Sequence, residues 1–176
     1  MTTFLTALVG LIGVLNLLLL LGVIRRLKEH DQALARIPYG GTPAADTMRA
    51  PGSEVGAFTA TSTDDVALSK ESLTAETLVA FFSASCAPCL EHAPKFAAHV
   101  AGLNGVLAIV VADGDDDPSQ LVGILGDKTR VVVEGYEGPV ATAFGVTAFP
   151  TYGVVADGTI TATALEFDAL PVPTRA

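Results

Sequence analysis

Tryptophan is absent and cysteine is scarce: of 176 residues, only Cys86 and Cys89 carry thiols. Those two sulfurs with a nearby imidazole, His92, fall one ligand short of a structural zinc site, which takes four. Cationic side chains are equally sparse over most of the chain. From Pro51 onward, five Lys and Arg stand against sixteen Asp and Glu, a net of −11. Holding a phosphate backbone needs a cationic face, so nucleic acid is excluded as a partner. The acidic balance serves mainly solubility. No charge of either sign occurs from Met1 to Ile24, and no segment repeats.

That uncharged stretch is almost wholly apolar from Phe4 to Ile24. Roughly 20 residues make about 30 Å of helix, enough to cross a bilayer. A secretory leader would begin with basic residues, carry a shorter apolar core and end in a small-x-small cleavage site. Here Arg25-Arg26 follows the run and nothing basic precedes it. Residues 1–24 therefore read as a retained single-pass anchor, with a cleaved leader as the other reading. Between Arg25 and Ala50, five basic residues oppose three acidic ones, which suits anionic lipid headgroups beside the anchor.

Residues 25–54 read as a polar helix to about Ile37, then a tether. Pro38-Tyr39-Gly40-Gly41-Thr42-Pro43 is rich in turn formers and lacks apolar periodicity. A flexible stretch of about 16 residues spans roughly 20 Å on average, which keeps the globular part of the chain close to the membrane. Globular signals begin at Val55 and run to the C-terminus, giving a domain over 55–176. Ala57–Ala60 and Val66–Leu68 flank a polar turn and predict a hairpin. Buried strands are expected at Leu78–Phe82 and Val106–Ala112, with a third, short strand at Arg130–Val133. Helices are expected from Cys86 to about Ala101, at Ser119–Leu125 and at Pro139–Phe144. Asp157-Gly158 joins Thr151–Val155 to Thr159–Ala164 in a closing hairpin. Strand, helix and strand early, with a hairpin late, predict an α/β mixed sheet with helices on its faces.

Within this frame the two cysteines bound Cys86-Ala87-Pro88-Cys89 at the start of the first helix. Unpaired amides and the positive end of the helix dipole favour a thiolate at that point. Two cysteines one turn apart can also close a disulfide without moving the rest of the fold. Cys86, first at the helix start, reads as the nucleophile and Cys89 as the resolving thiol.

Three segments carry a family resemblance. Leu78-Val79-Ala80-Phe81-Phe82-Ser83-Ala84-Ser85-Cys86-Ala87-Pro88-Cys89 resembles the strand-to-active-site passage of the thioredoxin fold. Pro94, five residues after Cys89, matches the proline that kinks that family's helix. Phe144-Gly145-Val146-Thr147-Ala148-Phe149-Pro150-Thr151-Tyr152 resembles its cis-proline segment, and Asp157-Gly158 its following hairpin. The chain over roughly Val55 to Phe167 is thus similar to membrane-anchored thioredoxin-like proteins of the TlpA and methylamine-utilisation type. The resemblance implies a thiol-disulfide oxidoreductase that reduces or isomerises disulfides of exported proteins. It implies a redox-active Cys86–Cys89 disulfide and no other cofactor. It also implies a cis peptide before Pro150 that sets the backbone of Phe149 against the dithiol to bind substrate. No cysteine lies in the anchor, so electrons must arrive from a separate protein donor.

The departures are specific. Ser85 stands where the family has tryptophan, and Ala80 stands where thioredoxin has its buried acid. His92 occupies the place of a glutamate common in the TlpA branch, with Glu91 beside it but about 100° away around a helix. His92 and Glu91 are accordingly the candidates for proton transfer. Only twelve residues follow Ala164, with Pro171 and Pro173 among them, so the family's last helix should be missing or reduced to a turn. An apolar patch is expected on the face it would have covered. Two other classes remain open: a copper carrier using Cys86, Cys89 and His92, and a non-catalytic assembly factor. Basic residues after the anchor favour a cytoplasmic domain. The resemblance implies an extracytoplasmic one, which is the expectation adopted.

Overall fold

The computed structural model describes residues 47–73 and 75–171. The predicted anchor, and the linker as far as residue 46, lie outside the described residues. Among those described, no helix is long and apolar enough to cross a membrane.

Two short strands, β1 (Thr59–Thr61) and β2 (Ala67–Ser69), form the expected hairpin as a separate two-stranded sheet. The main sheet has five strands in the order β5-β4-β3-β6-β7: β3 (Thr77–Ser83), β4 (Val106–Val111), β5 (Arg130–Glu134), β6 (Thr151–Ala156) and β7 (Thr159–Ala164). β3, β4 and β5 run parallel, while β6 pairs antiparallel with both β3 and β7. Helix α1 (Ala87–His99) crosses from β3 to β4, α2 (Ser119–Leu125) from β4 to β5, and α3 (Pro139–Phe144) precedes β6.

β3 and β4 read as unbroken apolar runs because both of their faces are covered. Successive side chains of β3 alternate between two cores. Leu78, Ala80 and Phe82 join α1, α2, Tyr152 and Leu170 on one side. Val79 and Phe81 join α3, Val55, Phe58 and Ile160 on the other. Met48 belongs to that second core at 2% exposure, and Thr47 is equally buried. The packed part of the chain therefore reaches back into residues 25–54, which composition alone assigns to linker. What holds the segment is long-range. The Thr147 amide donates to the Thr47 carbonyl at 2.9 Å and the Arg49 amide to the Phe144 carbonyl at 2.9 Å.

The C-terminal expectation is half met. After β7 the described residues make only a single 3-10 turn, Phe167–Ala169. The open apolar patch does not exist among the described residues. Phe167 lies 5.8 Å from the Phe96 ring and 5.6 Å from that of Tyr152, and Leu170 is buried in the same core. Two apolar side chains on a short turn thus cover what a helix would have covered. Among the described residues, the large hydrophobic side chains that remain exposed are Val133 and Tyr136, both elsewhere.

Candidate active site

β3 delivers the dithiol. Its last residue, Ser83, pairs with Val111, and a tight turn follows in which the Cys86 amide donates to the Ser83 carbonyl at 3.2 Å. Cys86 is the N-cap of α1, which begins at Ala87, one residue later than expected, and Pro88 sits in the first turn, where a missing amide proton costs nothing. Pro94 is inside the helix, on its exposed side.

The two sulfurs occupy different environments. Cys86 is half-buried and Cys89 is fully buried. The Ser83 amide donates to the Cys89 sulfur at 3.3 Å. Burial nevertheless pushes the Cys89 thiol up to about 12, with the neighbouring Cys86 adding to the rise and the Ser83 amide opposing it. At neutral pH Cys89 is therefore a protonated thiol behind an accessible one.

The loop opposite is built by α3 and β6. α3 ends at Gly145, whose φ of +62° is a left-handed turn that favours glycine, and the chain then reaches a cis Phe149–Pro150 peptide. The Cys86 thiol donates to the Phe149 carbonyl at 3.6 Å. Phe149 and Pro150 are half-buried. Behind them Thr151 and Thr47 share a buried hydroxyl–hydroxyl hydrogen bond of 2.8 Å.

Of the residues singled out from sequence, Cys86, Cys89, Phe149 and Pro150 are brought together. Glu91 is not: it stands exposed on α1 and takes part in no hydrogen bond or ion pair among the described residues. His92 faces the C-terminal segment, with Nδ1 buried and 3.8 Å from the Glu166 carboxylate. No three His, Cys, Asp or Glu among the described residues are arranged to hold a metal ion.

Sequence reasoning passes over three residues here. Tyr136 is 58% exposed and sets its ring edge-on against Phe149, 5.8 Å between centroids. Tyr152 is buried in the same core as Cys89, and Glu166 reaches His92 from beyond β7. An aromatic two residues after the proline was the available signal for Tyr152. Nothing local marks the other two.

No protein-family model and no curated sequence matches the chain. Solved structures do. The thioredoxin domain of a thiol-disulfide oxidoreductase from Bacteroides vulgatus superposes with a TM-score of 0.52 at 20% identity, covering 68% of this chain and 91% of that one. The fold is thioredoxin-like. A thiol:disulfide interchange protein from Bacteroides sp. gives 0.53 at 20% identity over 68% and 84% of the two chains. A thio-disulfide isomerase from Thermus thermophilus gives 0.52 at 19% identity over 65% and 85%. Within the thioredoxin-like fold, the dithiol at the start of α1 and the cis-proline loop face each other at the ends of adjacent strands β3 and β6.

Proposed function

We propose that this chain is a membrane-tethered thiol-disulfide oxidoreductase, reducing or isomerising disulfides of exported proteins through Cys86 and Cys89. The observation that carries this reading is the pairing of a half-buried Cys86 against the Phe149 carbonyl with a buried, protonated Cys89 behind it. Neighbours of the same fold are thiol-disulfide oxidoreductases and a thio-disulfide isomerase, which supports the same chemistry.

The exchange follows from exposure. The Cys86 thiolate attacks a substrate disulfide; one substrate sulfur leaves with its electron pair and a mixed disulfide forms. Cys89 then loses its proton and attacks Cys86, closing the Cys86–Cys89 bond and releasing the second substrate sulfur. Two electrons have passed to the substrate, and a separate dithiol protein must return them. Phe149 and Pro150 offer the extended substrate a backbone edge beside Cys86.

The anchor at 1–24 would hold the domain on the extracytoplasmic side of the cell membrane, close to its lipids. Reduction of insulin disulfides, with Cys86→Ser as control, tests the chemistry: no turnover by the native protein would overturn it. Protease accessibility on intact cells tests the side.

A further inference from the structure

Ala148, Phe149 and Pro150 form the loop beside Cys86, yet they belong to no helix or strand. Both flanks of the loop are tied to one residue instead. On the N-terminal side, the Thr147 amide donates to the Thr47 carbonyl at 2.9 Å. On the C-terminal side, the Thr151 and Thr47 hydroxyls share a hydrogen bond of 2.8 Å. Thr47 is 3% exposed and Thr151 is wholly buried, so water does not compete for that bond. Thr47 therefore brackets the loop with its carbonyl and its side chain, although it lies 104 residues before Thr151.

The bracket has a fixed base. Beyond Thr47, the Arg49 amide donates to the Phe144 carbonyl at 2.9 Å, and the Gly56 amide to the Ala143 carbonyl at 2.9 Å. The Gly52 amide donates to the Ile160 carbonyl at 2.7 Å, and the Ile160 amide returns a bond to the Ser53 carbonyl at 2.9 Å. Residues 47–56 are thus fastened to α3, which leads into the loop, and to β7, which pairs with the strand leaving it. Two glycines, one on each side of the loop, make room for this segment. A Cβ at Gly145 would stand 3.0 Å from Arg49 Cγ, and one at Gly153 would stand 3.2 Å from the Met48 sulfur. Both spacings are tighter than ordinary carbon contact.

Resting on the dithiol reading above, we propose that Thr47 is a positioning residue, a pin that sets the substrate-binding loop Ala148–Pro150 from both ends. The Phe149 carbonyl stands 3.6 Å from the Cys86 sulfur, so the placement of this loop decides how near the sulfur a bound chain lies. A loop ordered in advance spares the incoming chain the entropy of ordering it. The benefit is confined to substrates that lie along the loop; a disulfide without a peptide backbone draws nothing from it. The stretch just before Val55 therefore belongs to the working site, and a domain cut at Val55 would lose the pin.

The experiment follows single-turnover oxidation of the reduced full chain by insulin and by 2-hydroxyethyl disulfide, read by alkylating the thiols that remain. Thr47→Val deletes the hydroxyl and keeps the shape. It should raise the half-saturating insulin concentration roughly threefold or more and leave the limiting rate nearly unchanged. The second-order rate constant with 2-hydroxyethyl disulfide should stay native. Thr47→Ser, which keeps the hydroxyl, should restore native half-saturation. Thr151→Val, alone or combined with Thr47→Val, should give the same rise as Thr47→Val, because each removes one and the same bond. The double variant carries the test if a single one does not fold, since it leaves neither hydroxyl unpaired. Native half-saturation in the double variant would overturn the pin and leave the dithiol reading intact. So would a loss of rate shared by both disulfides, or a Thr47→Ser variant as impaired as Thr47→Val. A native protein whose thiols neither disulfide oxidises would overturn the dithiol reading itself.

Discussion

The Cys86 sulfur lies 3.6 Å from the carbonyl oxygen of Phe149, while Cys89, three residues on, has no exposed surface. Order of action follows from that contrast. Iodoacetamide at pH 7 should modify Cys86 in the native reduced protein and leave Cys89 untouched until denaturant is added. Cys89→Ser should trap substrate as a mixed disulfide on Cys86, and Cys86→Ser should trap none. Mass spectrometry of the adducts decides; equal labelling of both thiols in the native state would remove the division of roles.

Burial of Cys89 also gives stability a pH dependence whose sign can be worked out. In the unfolded chain the thiol ionises near its ordinary value of 9.0, whereas in the folded protein it holds its proton to about 12. Between those values the unfolded state binds fewer protons than the folded one. Stability is then fully present below pH 9 and is lost as pH rises toward 12. Tyr152 adds to the fall above 10.0, its phenol being raised in the same direction. The urea midpoint of the reduced protein should drop from pH 8 to pH 10, and Cys89→Ala should drop less. Identical slopes for the two proteins would show that Cys89 does not contribute.

Much of the sheet was legible because its signals are local. Ser119–Leu125, Pro139–Phe144 and Thr159–Ala164 end where they were expected to, each bounded by Pro or Gly or by the turn chemistry of its neighbours. The dithiol and the cis-proline loop were legible for the same reason: each is a short string of particular residues. What escaped depends on contacts between distant segments. Met48 reads as linker because the glycine it rests on, Gly153, is over a hundred positions away, with the Met48 sulfur 3.2 Å from where a Cβ would stand. Phe167 and Leu170 look too few to cover a sheet face until Phe96 and Tyr152 are seen to meet them halfway. Glu91 and His92 are neighbours in sequence, yet α1 exposes the first and half-buries the second.

Glu134 links the edge of the sheet to the helix that leads into the cis-proline loop. Its carboxylate accepts from the amides of Ala141 at 2.7 Å and Val140 at 3.0 Å, in the first turn of α3. Burial raises its ionisation above the ordinary carboxylate range, and the two amides only partly offset this. Glu134→Ala would leave both amides unpaired and should cost about 1–3 kcal/mol. Glu134→Gln, which keeps an oxygen acceptor, should cost less. Chemical denaturation of both variants checks the ranking, and equal losses would mean the amides find other partners.

Tyr136 offers the most direct test of how substrate is held. It is the most exposed large hydrophobic side chain among the described residues, its ring set against Phe149 and its amide bonded to Asp113 at 3.1 Å. An aromatic fixed against Phe149, with its ring exposed, can be covered by an extended chain lying along Phe149. Removing the ring takes away contact made equally with bound substrate and with the transition state. Tyr136→Ala should therefore raise KM several-fold for a folded protein disulfide and leave kcat nearly unchanged. A small disulfide with no peptide chain, such as 2-hydroxyethyl disulfide, offers the ring little to cover and should show a smaller difference. A fall in kcat with both substrates would instead place Tyr136 among the groups that hold Phe149 against Cys86.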